Sequence, residues 1–275
     1  MPDRDNENTP NLDNVKKELL ELGITAEGTL KQLTKKLKSA RASKKLKEMK
    51  ANESELQRLR DAKPQPFDFY LICDVEATCT EASGFDYPNE IIEFPVIRVD
   101  GSTGEKIDTF HRYVRPTLNP ALTPFCTQLT GITQETVDKA EAFDVVFTQF
   151  MDWIASFSAD PLNEVVFCTD GPWDLRDFMQ KEFTYYGITR PLFMRKIVNV
   201  RKAFADFYKL SESPNLNAML AKLGMQFEGK EHSGMDDATN LYRIFVQMVK
   251  DGYRMDVNTD VHNKASGGGW KKLRK

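Results

Sequence analysis

Apolar positions divide the chain into two stretches with different rhythms. Leu12, Val15, Leu19 and Leu22 recur at steps of three and four, the stripe of a short helix that Gly23 stops. A second stripe, Leu30, Leu33 and Leu37, follows Gly28 and Thr29, with Thr29 placed to cap it. Together they predict a small helical hairpin over 11–45, after a disordered lead-in over 1–10. Residues 46–66 read as a charged, helical linker nearly free of core-forming positions, ended by Pro64 and Pro66.

From Phe67 the rhythm becomes that of strands. FYLICDVEA (69–77) is an apolar run ending in acids, IIEFPVIRVD (91–100) is a second strand and FHRYVRP (110–116) a third. Pro95 inside the second suggests an edge strand or a bulge. Helical patterns follow over 133–139 and 142–157, then a short buried strand over 165–168 and a helix over 174–187. A strand and a helix share 195–210, and helices cover 215–224 and 235–252. Strands first, then helices alternating with strands, predict a mixed α/β sheet covered by helices, with its domain over 67–255. The glycines at 267–269 mark 256–275 as a flexible basic tail.

Composition narrows the class. Hydrophobic residues make up 40% of 275, enough for a sizeable core. No apolar stretch reaches the length of a membrane helix, and the polar first twenty residues predict no secretory signal. The four cysteines form no C-x-x-C pair, which disfavours a zinc knuckle or a disulfide scaffold and favours a reducing compartment. The net charge of −3 conceals an asymmetry: residues 31–50 carry +8, residues 64–263 carry −12 and residues 264–275 carry +5. An acidic body with basic arms suits a protein that holds cations in its body and polyanions at its edges; a solvated lysine-rich helix explains the first arm equally well.

Three groups of acids are candidates for chemistry. Asp74 and Glu76 are two apart at the end of an apolar strand, so they share a face, at a place where α/β folds gather ligands. Two such carboxylates repel unless a positive charge sits between them, and a hard divalent cation is the natural partner. Asp170, Asp174 and Asp177 follow a buried strand and open a helix, where acids are also favoured by the helix dipole. In HSGMDDATN (232–240), Ser233 and Asp236 fit a capping box, which leaves His232 and Asp237 unexplained. Nucleotide-binding loops, zinc-protease helices and nucleophile elbows are missing; GSTGEK (101–106) has the wrong spacing for a phosphate loop.

Taken in order, Asp-x-Glu, Trp173–Asp174 and His232 five residues before Asp237 resemble the DEDDh 3′–5′ exonucleases. VEATC (75–79), NEIIEFPVI (89–97), LTGIT (129–133), TDGPWDLRDF (169–178) and HSGMDD (232–237) resemble the Enhanced-RNAi, or histone-mRNA 3′-exonuclease, type in particular. The resemblance implies a ribonuclease H-like fold with a mixed five- to six-stranded sheet. It implies that Asp74, Glu76, Asp174 and Asp237 hold two Mg²⁺, with Mn²⁺ able to substitute, and that His232 is the general base. Glu76, Ala77, Phe125, Leu129, Trp173 and His232 would meet the terminal nucleotide, with Trp173 stacking on its base. The hairpin resembles a SAP domain, so Lys31, Lys35, Lys36, Lys38, Arg41, Lys44 and Lys45 would grip phosphates. The expected substrates are single-stranded 3′ ends beside a duplex or stem–loop: small interfering RNA, histone mRNA or 5.8S ribosomal RNA. Expected partners are a Dicer complex, a histone stem–loop-binding protein or the ribosome, with cytoplasmic and also nuclear or nucleolar residence. A non-catalytic RNA-binding module and a 3′–5′ DNA exonuclease are the competing readings.

Overall fold

The computed structural model describes residues 11–61, 65–81 and 87–261, with the backbone alone at 51–52 and 54–61. The chain forms two compact units, one up to Arg58 and one from Leu59. The expected lead-in, 1–10, lies outside the described residues.

The first unit pairs α1 (Leu12–Glu21) with α2 (Leu30–Asp61). Val15, Leu19, Leu33 and Leu37 are buried between them, and Leu22, Ile24 and Ala26 pack at the margin. Leu12 and Leu30, outermost on each stripe, stay exposed. Thr29 begins α2: its backbone N–H and its hydroxyl both donate to Oε1 of Gln32, at 2.9 and 3.0 Å, one half of a capping box. The expected boundary at 45/46 falls inside α2, which runs on unbroken.

The second unit is built on a sheet. β1 (Phe69–Cys73) and β2 (Glu76–Ala77) both run antiparallel along β3 (Ile91–Asp100); Glu76 keeps the register of β1 across a break at Asp74–Val75, and the register shifts by one between Glu76 and Ala77. β4 (Lys106–Tyr113) pairs with β3 and runs antiparallel to it. Four helices follow: α3 (Pro124–Thr130), α4 (Gln134–Asp138), α5 (Phe143–Ala155) and the single turn α6 (Pro161–Glu164). β5 (Val165–Thr169) lies parallel to β1, and a π-helical turn (Asp174–Phe178) leads into α7 (Met179–Tyr186). β6 (Lys196–Asn199), parallel to β5, passes directly into α8 (Val200–Phe207). α9 (Leu216–Lys222), α10 (Gly234–Lys250) and β7 (Thr259–Asp260), antiparallel to β6, complete it.

Alternation along the strands sorts side chains to two faces. Leu71, Cys73, Val165 and Phe167 join α5 and α7 in one apolar cluster. Tyr70, Ile72, Val166 and Cys168 join α8, α9 and α10 in another. The sheet is therefore covered on both sides, and β1 and β5 read as continuous apolar runs because both faces are dry.

Three expectations change. Among the described residues the sheet has seven strands rather than five or six, because β2 and β7 are two residues each and too short to show a period. Pro95 is not on an edge: β3 has partners on both sides, and Pro95 falls opposite the break at Asp74–Val75, where a missing N–H leaves no gap in the β1–β2 ladder. The tail starts later than 256. Asn258 exchanges hydrogen bonds with Asn199 at 2.8 and 2.9 Å, and Val261 is buried in the core, so 256–261 are part of the fold. The glycine-rich remainder lies outside the described residues.

Candidate active site

The parallel strands β1 and β5 end together, and the chain places an aspartate after each: Asp74 after Cys73, Asp170 after Thr169. These carboxyl ends open into a cavity of about 500 Å³. Its lining includes Asp74, Glu76, Asp170, His232 and Asp237. Glu76, His232 and Asp237 each offer a ligand atom within 4.8 Å of the others. Asp174 reaches the same centre from the π-helical turn and is buried; its Oδ1 accepts the backbone N–H of Val75 at 3.0 Å, midway between Asp74 and Glu76. All five residues singled out from the motifs thus converge.

The neighbours in sequence have other work. Asp170 lines the cavity but forms an ion pair with Arg201. Asp177 is paired with Arg176 at 2.7 Å. Asp236 accepts the backbone N–H of Lys230 at 2.9 Å and organises the loop before α10. Asp237 instead accepts the N–H of His232 at 3.0 Å, so the five-residue spacing of that motif is one hydrogen bond long. His232 is exposed and left-handed (φ 63°), a conformation that costs a non-glycine residue about 1–2 kcal/mol.

Electrostatically the cluster is overloaded. Burial and the charges of Asp174, Asp237 and Glu76 push the Asp74 carboxyl well above the usual range. Burial, then Asp237 and Glu93, does the same to Glu76. Burial pushes Asp174 up to about 7 despite its bond from Val75, and Asp237 likewise up to about 7. The described lining holds no lysine, and its one arginine is committed to Asp170. A set of crowded oxygens and one imidazole, short of positive charge, fits hard divalent cations.

Several expected nucleotide contacts shift. Ala77 and Leu129 line the cavity; Phe125 and Trp173 do not. Trp173 folds over Gly171, so tightly that a Cβ there would lie 1.9 Å from the ring, and the Arg201 guanidinium sits 4.9 Å from the ring centroid. It backs the wall instead of forming it, and Phe178, one turn on, supplies an aromatic surface together with Phe227 and Leu216. Phe125 is half-buried on α3, one turn before Leu129. Asn89, at the head of the NEIIEFPVI motif, also lines the cavity, as do Asn215 and Asn217, which carry no motif that a single sequence shows. Ser233 makes no side-chain cap bond, so the expected capping box does not form. On the basic arm, Arg41 is exposed but bound through two of its nitrogens to Glu18, at 2.6 and 2.7 Å, and the lysines are exposed beside it.

A buried acid cluster at the ends of parallel strands, with an imidazole at its mouth, is the kind of centre that metal-dependent phosphodiesterases use. The Exonuclease family matches residues 71–245. The 3′-5′ exonuclease eri1 of Schizosaccharomyces pombe is 35% identical over 277 residues, covering 92% of each chain. The mouse (Mus musculus) 3′-5′ exoribonuclease 1 is 37% identical over 246 residues, 88% of this chain and 68% of that one. Of the rat relative the chain covers 57%. Among solved structures, the nuclease domain of 3′hExo, a DEDDh family member bound to rAMP, superposes with a TM-score of 0.68 at 39% identity, covering 70% of this chain and 98% of that one. A 3′-exonuclease described as recognising the 3′ end of a histone mRNA stem–loop gives 0.69 at 38%, covering 72% and 88%. The chain belongs to the Exonuclease family and, within it, to the Enhanced-RNAi type of DEDDh 3′–5′ exoribonuclease, with the ribonuclease H-like fold of that family.

The raised carboxyls fix a sign. An Asp with an ordinary value near 4 and a folded value near 7 keeps its proton in the native state after the unfolded chain has lost it, so stability falls as pH rises through that window. In chelator, the thermal midpoint should drop between pH 5 and pH 8. Mg²⁺ should raise it more at pH 8 than at pH 5, and Asp74→Asn should flatten the slope. A midpoint that climbs with pH in chelator would contradict the arrangement.

Proposed function

We propose that this chain removes nucleotides one at a time from RNA 3′ ends, in a Mg²⁺-dependent reaction that releases nucleoside 5′-monophosphates. The observation that carries the reading is that Asp74, Glu76, Asp237 and His232 line one cavity, with Asp174 buried and bonded to the backbone of Val75 between the first two. The four carboxylates would hold two Mg²⁺, with Mn²⁺ able to replace them. Bound there, the cations would ease deprotonation of an attacking water and stabilise charge on the leaving 3′-oxygen. His232 accepts the proton of that water: its ring is exposed, beside Glu76 and Asp237, and can hand the proton to solvent. Leu129, Phe178, Leu216 and Phe227 receive the terminal base without reading its identity. Ala77, small and buried at the cavity wall, leaves room for the sugar.

The hairpin unit serves structured RNA. Lys31, Lys35, Lys36, Lys38, Lys44 and Lys45 are exposed along α2, and a row of cations on a rigid helix matches a row of phosphates. The substrates this suits are 3′ overhangs beside a duplex or stem–loop.

His232→Ala should leave RNA binding within a few-fold and slow hydrolysis by about 10²–10⁴-fold. His232→Gly should be equally slow yet melt higher than His232→Ala, because only glycine is free of the left-handed penalty. Turnover near wild type in His232→Ala removes the imidazole from the mechanism. With a 5′-labelled duplex bearing a 3′ overhang, products should shorten nucleotide by nucleotide in Mg²⁺, stop in chelator, and form more slowly from matched DNA. Internal cuts would refute exonuclease action, and equal rates on both polymers would favour the DNA-competent reading.

Deleting residues 1–63 should weaken stem–loop binding while sparing cleavage of short single strands. It should also reduce the log–log salt slope by about 0.9 for each duplex phosphate no longer neutralised. Equal stem–loop affinity of the truncated and full chains would rule out the arm.

A further inference from the structure

Glu93 is a buried carboxylate to which the mechanism gives no task. Glu93 lies in β3, directly opposite Glu76 in the register, and is 2% exposed. An ionisable group so placed needs donors, and it has three. Its Oε2 accepts the backbone N–H of Gly234 at 2.9 Å, its Oε1 that of Met235 at 3.3 Å, and Nε2 of His111, from β4, lies 2.8 Å from Oε1. Gly234 and Met235 are the first two residues of α10, the helix that carries Asp237. The residue at its N-cap, Ser233, makes no side-chain cap bond. The helix is capped from outside, by a strand.

The cap also fixes distance. A Cβ on Gly234 would lie 2.6 Å from the carbonyl oxygen of Asp74, 3.1 Å from Cγ of Pro95 and 3.2 Å from Oε2 of Glu93. The start of α10 therefore rests on the strand that bears the first metal-binding acid. Beyond that point Ala238, Leu241, Ile244 and Phe245 bury the helix body in the core. Asp237 is anchored with it. The loop ahead of the helix has no such packing: Glu231 and His232 are exposed, and His232 holds a left-handed backbone two residues before the capped N–H.

We propose that Glu93 is a positioning residue that acts through His232. By capping α10 it fixes the end of the loop from which the imidazole enters the cavity, while the carboxylates keep their places by packing. The inference rests on His232 as the proton acceptor.

Glu93→Gln keeps the shape but removes the charge and turns one acceptor into a donor facing an N–H. It should lower kcat on a short single-stranded RNA by about 10–10²-fold, as a small displacement of a reacting group does. KM and the Mg²⁺ concentration for half-maximal rate should stay within about twofold to threefold, and unfolding should remain cooperative. In a His232→Ala background the same change should cost less than about twofold, since no imidazole is left to misplace. Multiplicative losses in both backgrounds, a changed Mg²⁺ requirement, or near-wild-type kcat would each overturn the proposal. If Glu93→Gln does not fold, His111→Phe, which removes one of the three donors, carries the same cycle with a smaller first loss. Full activity in His232→Ala alone would instead overturn the reading of the base, so the two failures are told apart.

Discussion

Four acidic side chains crowded at the end of a parallel pair of strands define this molecule. Burial and mutual repulsion both favour their protonated forms, and folding alone does not relieve either. Among the described residues the hydrogen bonds given to Asp174 and Asp237 come from the backbone: Val75 to Asp174, His232 to Asp237. These bonds aim the oxygens without cancelling their charge. The centre is folded ready for positive charge it does not itself contain, and that deficit makes it a cation site rather than a salt-bridge network.

Arg201 shows how the balance is kept. It lies beside the cavity yet is bound to Asp170 and packed on Trp173. Had its guanidinium reached Asp74 or Asp237, it would have neutralised the centre and competed with metal. Asp170 acts as the decoy that holds it off, and Trp173, seated on Gly171, fixes the plane of the guanidinium. Adjacent aspartates of the same loop thus have opposite roles because one meets an arginine and the other a backbone N–H.

What was legible in the sequence follows from range. Apolar runs in β1, β3 and β5 and the leucine stripes of α1 and α2 are local signals, and they placed the sheet, its helices and the hairpin. The five motif residues were legible through the resemblance of their motifs to a known family, and one of those spacings is also short-range geometry, the single hydrogen bond from His232 to Asp237. Three kinds of feature were not. β2 and β7 are too short to have a period and exist through their partners. Trp173 sits next to Asp174 in the chain, but the widened π-helical turn that follows, with the N–H of Met179 on the carbonyl of Asp174, brings Phe178 and not Trp173 to the cavity. Ser233 has the residue type and spacing of a cap, and loses the role to Glu93, 140 positions earlier, a competition no local pattern contains. The one trace of Glu93 was an acid inside the apolar run IIEFPVI.

The placement of the imidazole answers two demands that conflict. Acids that are to hold metal, as proposed for these four, belong on rigid, dry elements, where their oxygens stay fixed and a low dielectric strengthens their hold on a cation. A group that takes a proton on every turnover must return it to water, so it cannot share their burial. A strand or helix interior would give His232 the precision of the acids at the cost of that exchange; a free loop would give exchange without precision. The chain resolves this at the last exposed turn before α10. The left-handed backbone of His232, its N–H on Asp237 and the capped helix start two residues later hold the loop's direction, while the ring itself remains in solvent. In the proposed mechanism the local strain is therefore what it costs to have a wet base on a dry scaffold, and it falls on the one residue of the five that would have to be both fixed and exposed.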